Sequence, residues 1–145
     1  MLCSALQEIA TIATVKKKSR IWETEPWGET EQEPFLNAAV EVETEKNPHI
    51  FLEELQRIEK KLGRKQRKKW GPREIDIDIV FWGKEKIRTK NLVVPHRFWK
   101  ERAFVVFPMA DIAPDFVPLD TNKTIAEWKT RFPKTEVVVC GDFLE

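Results

Sequence analysis

Asp76 and Asp78 stand two residues apart in Ile75-Asp76-Ile77-Asp78-Ile79-Val80, where charged and branched apolar residues alternate. On a β-strand that spacing puts both carboxylates on one face, about 6.5–7 Å apart at the Cα atoms, with the isoleucines on the other. Carboxylates so placed can converge on one or two hard cations. Magnesium keeps several waters, takes few protein carboxylates and is commonly shared with substrate phosphates, so the pair suits a nucleotide site better than an all-protein cage. The plainer reading is two solvated acids on an exposed strand face.

The neighbourhood favours the first reading. Lys60 to Arg73 carries eight cationic side chains and no acidic one. A triphosphate needs metal held by carboxylates, and it needs arginine forks that make paired contacts with phosphate oxygens. Standing alone, such a run reads as a solvated loop or an RNA-attracting patch. Trp70-Gly71-Pro72 within it suggests a lid whose aromatic ring closes over a base. His96, after Pro95, and Arg102, six residues on, form a candidate pair of phosphate donors, although a lone histidine is more often structural. His49, in the first turn of a helix, is read as structural. Trp27 and Phe35 flank a Pro/Gly loop and could form a stacking slot for a flat heterocycle, with core packing the plainer role for Phe35.

These residues need elements to hold them. Leu2, Leu6, Ile9 and Ile12 or Ala13 recur at helical spacing and predict an amphipathic helix from Leu2 to Ala13. Strands are expected from Val15 to Trp22 and from Phe35 to Thr44, separated by a loop around Pro26 and Gly28. A helix should open at the N-cap Asn47 with Pro48 in its first turn, bury Phe51, Leu55, Ile58 and Leu62, and stop before Gly63. The acid-bearing strand follows the basic run. Further on, a short helix over Lys100 to Met109, a turn at Ile112 to Asp115, a helix near Thr124 to Arg131 and a strand from Glu136 to Cys140 complete the pattern. Strands alternating with helices argue for an α/β or α+β sandwich, its sheet covered mainly on one side.

Composition bounds the rest. The 145 residues suit a single domain, with 41% hydrophobic and 34% charged residues and a formal net charge of +1, so any attraction for anions must be local. Cys3 and Cys140 have no metal-ligand or redox spacing and read as reduced thiols. The first residues lack the basic start and unbroken apolar run of a signal peptide, and no membrane span is expected, so the chain reads as cytoplasmic.

Trp70-Gly71-Pro72-Arg73-Glu74-Ile75-Asp76-Ile77-Asp78-Ile79, preceded by Gln56-Arg57-Ile58-Glu59 and Leu62-Gly63-Arg64 and followed by Val94-Pro95-His96, Arg102 and Phe104, resembles the 6-hydroxymethyl-7,8-dihydropterin pyrophosphokinases. Phe35 to Val40 and Thr24 to Gly28 also fit, and the likeness runs in order to about Pro118. The resemblance implies a ferredoxin-like sandwich, mainly antiparallel with helices packed on the sheet, that moves the β,γ-diphosphate of ATP to the dihydropterin hydroxymethyl group in folate biosynthesis. It implies two magnesium ions on Asp76 and Asp78, and phosphate or charge contacts from Arg64, Arg73, His96 and Arg102. Gln56 and Glu59 would lie along the nucleotide, Trp70 would belong to the lid, and Arg67 would replace an arginine the family usually has where Gln66 stands. Asn37 would hydrogen-bond the pterin between Phe35 and Phe104, with Thr24 and the loop through Trp27 reading its edge. ATP and the pterin are the expected partners of a monomer, with no nucleic acid or membrane.

The family ordinarily opens with a strand ending Gly-Ser-Asn, upstream of the helix that here begins at Met1. Thr135 to Gly141, expected as a buried strand, could take its place, while residues 119–145 otherwise match nothing in the family. The alternatives are a silent or truncated domain of the same fold, or an RNA-binding module whose affinity falls with salt and needs no magnesium.

Overall fold

In a computed structural model of the chain, residues 1–24, 35–65 and 75–143 are described, with the side chains of Arg64 and Lys65 left aside. The chain divides into two compact units. Met1–Val15 and Val42–Arg97 form the first, and Lys16–Glu41 and Phe98–Glu145 the second. Two strands, β1 (Thr14–Lys18) and β4 (Val40–Glu43), pair with each other.

The first unit is built on two helices, α1 (Leu2–Ile12) and α2 (Pro48–Lys65). Asn47 caps α2 as expected, its side-chain oxygen accepting the Ile50 N–H at 2.9 Å. The stripe Phe51, Leu55, Ile58 and Leu62 is buried and packs with Ala5 and Ile9 of α1 and with Ile79, Leu92 and Val94. Each of the four stripe side chains contributes about 1.5–3 kcal/mol by leaving water. That gain explains why α2 runs past Gly63 instead of stopping before it, since an interior glycine costs only about 1 kcal/mol. Lys46 joins the two helices: its Nζ donates to the free Ile12 carbonyl at the end of α1 and pairs with Glu54 of α2 at 2.7 Å.

The acid-bearing stretch differs from the expected strand. Ile75 to Trp82 has no strand assignment, yet burial still alternates: Asp76 and Asp78 are exposed, Ile75 and Ile77 half-buried and Ile79 buried. Its backbone groups find other partners. Ile77 N–H goes to the Glu59 carboxylate at 2.6 Å, and the Val80 carbonyl accepts His96 N–H at 2.9 Å. A side chain has taken a donor that a neighbouring strand would otherwise use. Beyond it, β5 (Ile87–Arg88) and β6 (Val93–Val94) form a small antiparallel ribbon.

In the second unit, β2 (Ile21–Thr24) sits between β3 (Phe35–Asn37) and β7 (Val138–Gly141), antiparallel to both. The long strands expected over Val15–Trp22 and Phe35–Thr44 are each broken in the middle. Buried Ser19 exchanges two hydrogen bonds with Ala39, backbone N–H to carbonyl at 2.8 Å and side-chain oxygen from Ala39 N–H at 2.8 Å. A serine side chain that satisfies the backbone locally ends ladder pairing there. A short 3-10 helix (Trp99–Glu101) leads into α3 (Ala103–Ile112), and α4 (Ile125–Lys129) opens with a capping box between Thr124 and Glu127. Trp22, Ala103, Phe107 and Val137 form the core, the Trp22 and Phe107 rings meeting edge to face at 5.4 Å. The C-terminal strand differs from the buried element expected: β7 ends the strand order, and Val138 and Val139 are 46% and 41% exposed, because a strand paired on one side leaves its other side to solvent. No helix among the described residues is long and apolar enough to cross a membrane.

Candidate active site

The first unit gathers Gln56, Glu59, Asp76, Asp78 and His96. Gln56 and Glu59 lie one helical turn apart on α2, so their side chains share a side of the helix. Glu59 then holds the acid-bearing segment through the Ile77 amide, the residue between the two aspartates. Inward Ile79 anchors the segment in the core while both carboxylates face outward. His96 is tied to the end of the same segment by its backbone, and its Nδ1 is buried without a hydrogen-bond partner among the described residues. His49 sits elsewhere on α2, its Nε2 3.0 Å from Thr89 Oγ1, a surface contact that agrees with its structural reading. Arg64 lies in the last turn of α2, its side chain outside the described residues, as are Arg67, Trp70 and Arg73 entirely.

Two exposed carboxylates held by a fixed backbone, with no nitrogen or sulfur donor among them, make a donor set for a hard cation that keeps its waters. Among the described residues no group of three or more histidine, cysteine or acidic side chains could enclose a metal by itself. Such a cation can complete its shell with water or with a bound anion.

Thr24, Phe35, Asn37, Arg102 and Phe104 belong to the second unit. Antiparallel pairing sets Thr24 opposite Phe35 and Trp22 opposite Asn37, and directly opposed residues point to the same face. That face is identified by Trp22, which packs on Phe107 of α3. Phe104 lies one turn before Phe107 on α3 and is half-buried, as are Phe35 and Asn37. Thr24 Oγ1 is buried without a partner among the described residues. Arg102 lies over both Phe98 and Phe104, 5.6 Å from each ring centroid. Aromatic surface, an amide and a hydroxyl without a partner among the described residues are groups of the kind that hold a flat heterocycle with polar edges. Trp27 lies outside the described residues.

What holds this face in place was not foreseen. Asp111 of α3 accepts the Arg20 amide at 3.0 Å, both arms of the Arg20 guanidinium at 2.8 and 3.1 Å, and the Trp22 indole N–H at 2.9 Å. Burial would raise the Asp111 carboxyl, but hydrogen bonds from Arg20 and Trp22 outweigh it and hold the group below the ordinary carboxylate range. The available signal was the alternation Arg20-Ile21-Trp22, which aims a fork and an indole donor at one face. Nothing in the sequence says which of 24 acids they meet.

A family model described as 7,8-dihydro-6-hydroxymethylpterin-pyrophosphokinase matches residues 1–114. The chain is 45% identical over 119 residues to a 2-amino-4-hydroxy-6-hydroxymethyldihydropteridine pyrophosphokinase of Methylorubrum extorquens, covering 81% of this chain and 75% of that protein. It is 38% identical over 128 residues to the protein so named in Aquifex aeolicus, covering 88% and 80%. The Bacillus subtilis protein of the same name is 48% identical over 99 residues, or 68% of this chain and 59% of that one.

Proposed function

This chain belongs to the 7,8-dihydro-6-hydroxymethylpterin-pyrophosphokinase family and is a pyrophosphokinase of folate biosynthesis; from that premise we propose which of its residues perform the transfer. The observation that carries the proposal is the pair of exposed aspartates, Asp76 and Asp78, with the residue between them fastened to Glu59.

The hydroxymethyl oxygen of the dihydropterin attacks the β-phosphorus of ATP. An oxygen–phosphorus bond forms, the bridge between the α- and β-phosphates breaks, the hydroxyl proton is lost and AMP leaves with the bridging oxygen. Such a transfer needs little covalent help, so positioning and stabilisation of spread charge carry the rate. Asp76 and Asp78 would hold magnesium, two ions, which when bound would supply neutralisation of charge on the phosphates. Arg64, Arg67 and Arg73 grip phosphate oxygens with their forks, and His96 and Arg102 add donors. Gln56 lies along the nucleotide, Glu59 keeps the aspartate segment against α2, and Trp70 closes as part of the lid. Phe35 and Phe104 stack the pterin, while Asn37, Thr24 and the loop through Trp27 read its polar edge. We propose the ferredoxin-like sandwich as the fold and a monomer as the acting state. Two free thiols, Cys3 and Cys140, suit a reducing compartment such as the cytoplasm.

The test is AMP release from magnesium-ATP by the purified chain with and without 6-hydroxymethyl-7,8-dihydropterin. Pterin-dependent AMP that vanishes in Asp78→Ala supports the assignment. Equal AMP from parent and variant would remove the aspartate from the mechanism.

A further inference from the structure

Within the second unit, three cations crowd one ring. The charged groups of Lys100, Lys123 and Arg131 lie 5.5, 5.6 and 5.1 Å from the ring centroid of Trp128, and Lys100 also lies 6.0 Å from that of Trp99. The two indoles meet edge to face at 5.4 Å and are 9% and 3% exposed. One cation on an aromatic face is favourable, but three around one ring repel one another. No ion pair engages any of the three among the described residues. Glu127 feels the charge of Lys123, but its carboxylate is committed to the Thr124 N–H of its own capping box.

A second observation points the same way. Trp128 Nε1 is buried and has no hydrogen-bond partner among the described residues. Buried donors are nearly always satisfied, by protein, water or a bound ion. The ring with the orphaned donor is the ring around which gather the cations that make no ion pair among the described residues.

We infer that Lys100, Lys123, Arg131 and the Trp128 N–H form an anion site for the oligophosphate group of a small molecule, made of residues that diphosphate transfer does not use. Two point charges, one planar fork and an N–H match an anion with several oxygens and more than one negative charge. Both indoles are packed against each other and buried, which leaves no open ring face on which successive bases of a single strand could stack. Lys123, Trp128 and Arg131 lie beyond the residues matched by the family model, and Lys100 lies within them.

The full chain labelled with 5-fluorotryptophan reads this site directly by fluorine NMR, with the Trp128 resonance assigned from Trp128→Phe. Inorganic pyrophosphate, titrated without magnesium against sodium chloride of equal ionic strength, should move that resonance saturably while the salt does not. Lys123→Gln with Arg131→Gln should raise the midpoint about tenfold or more, and Lys100→Gln alone about threefold, with pterin-dependent AMP release within about twofold of the parent. The other tryptophan resonances report that each variant is folded. An unsaturable shift, or an unchanged midpoint in the double variant, would overturn the site. A single-stranded RNA that saturates the resonance at lower concentration than pyrophosphate would overturn the ligand class.

Discussion

Glu59 Oε2 accepts the backbone N–H of Ile77 at 2.6 Å, so the one residue between Asp76 and Asp78 is fastened to α2. A charged acceptor on a backbone donor is among the stronger hydrogen bonds, and its loss frees the segment that presents both carboxylates. Glu59→Ala should lower kcat by about tenfold or more and raise the magnesium concentration needed for half-maximal AMP release, whereas Glu59→Gln, which keeps an acceptor oxygen, should recover part of both. A change in pterin KM with the magnesium dependence unmoved would show that Glu59 does not act through the aspartates.

Asp76 and Asp78 are exposed, and among the described residues no hydrogen bond or ion pair ties either carboxylate to the fold. Exposed substitutions away from such ties shift stability by about 0.5 kcal/mol or less. Asp78→Ala should therefore keep the parent melting temperature while losing about 100-fold or more in turnover, the scale of removing one group that stabilises transition-state charge. Calorimetry beside the AMP assay checks both halves, and a large fall in melting temperature would mean that the residue serves the fold.

The Asp111 hub carries a stability prediction with a sign. Its folded pKa lies below the ordinary carboxylate value, so its contribution is present above the unfolded pKa and lost as pH falls through the folded one. Urea unfolding should show the parent losing this advantage below about pH 4, with Asp111→Ala insensitive to pH in that window from this source. At neutral pH the variant should be less stable by about 1–3 kcal/mol, because the buried Trp22 indole loses its acceptor while half-exposed Arg20 turns to water. A loss that stays constant from pH 7 to pH 3 would assign the effect to packing instead.

Local chemistry made much of this legible. Asn47, Pro48 and the Phe51 to Leu62 stripe announce α2, because a cap and a buried face are written in consecutive residues. The alternation from Ile75 to Ile79 places the acids outward even though no strand forms there, since burial of alternate residues does not require a ladder partner. The Glu59–Ile77 clasp, the Ser19–Ala39 break and the Asp111 hub were not legible. Each joins a side chain to a group 18 to 91 residues away, and spacing along the chain carries no record of such a meeting.

Thr24 separates a binding role from a structural one. Its hydroxyl is buried on the face shared with Phe35 and Asn37 and lacks a partner among the described residues, so valine there forfeits no hydrogen bond to any of them. Thr24→Val keeps the branched shape suited to β2 and removes only the polar atom. Stability should be unchanged or higher by up to about 1 kcal/mol, since an unsatisfied buried hydroxyl is a cost. If that hydroxyl meets the pterin edge, pterin KM should rise about tenfold while the KM for ATP stays within about twofold, because a buried hydrogen bond lost from a substrate site is worth about that factor. Steady-state kinetics with each substrate varied in turn measures the split. Equal increases in both constants would place Thr24 in the general closure of the enzyme and not at the pterin.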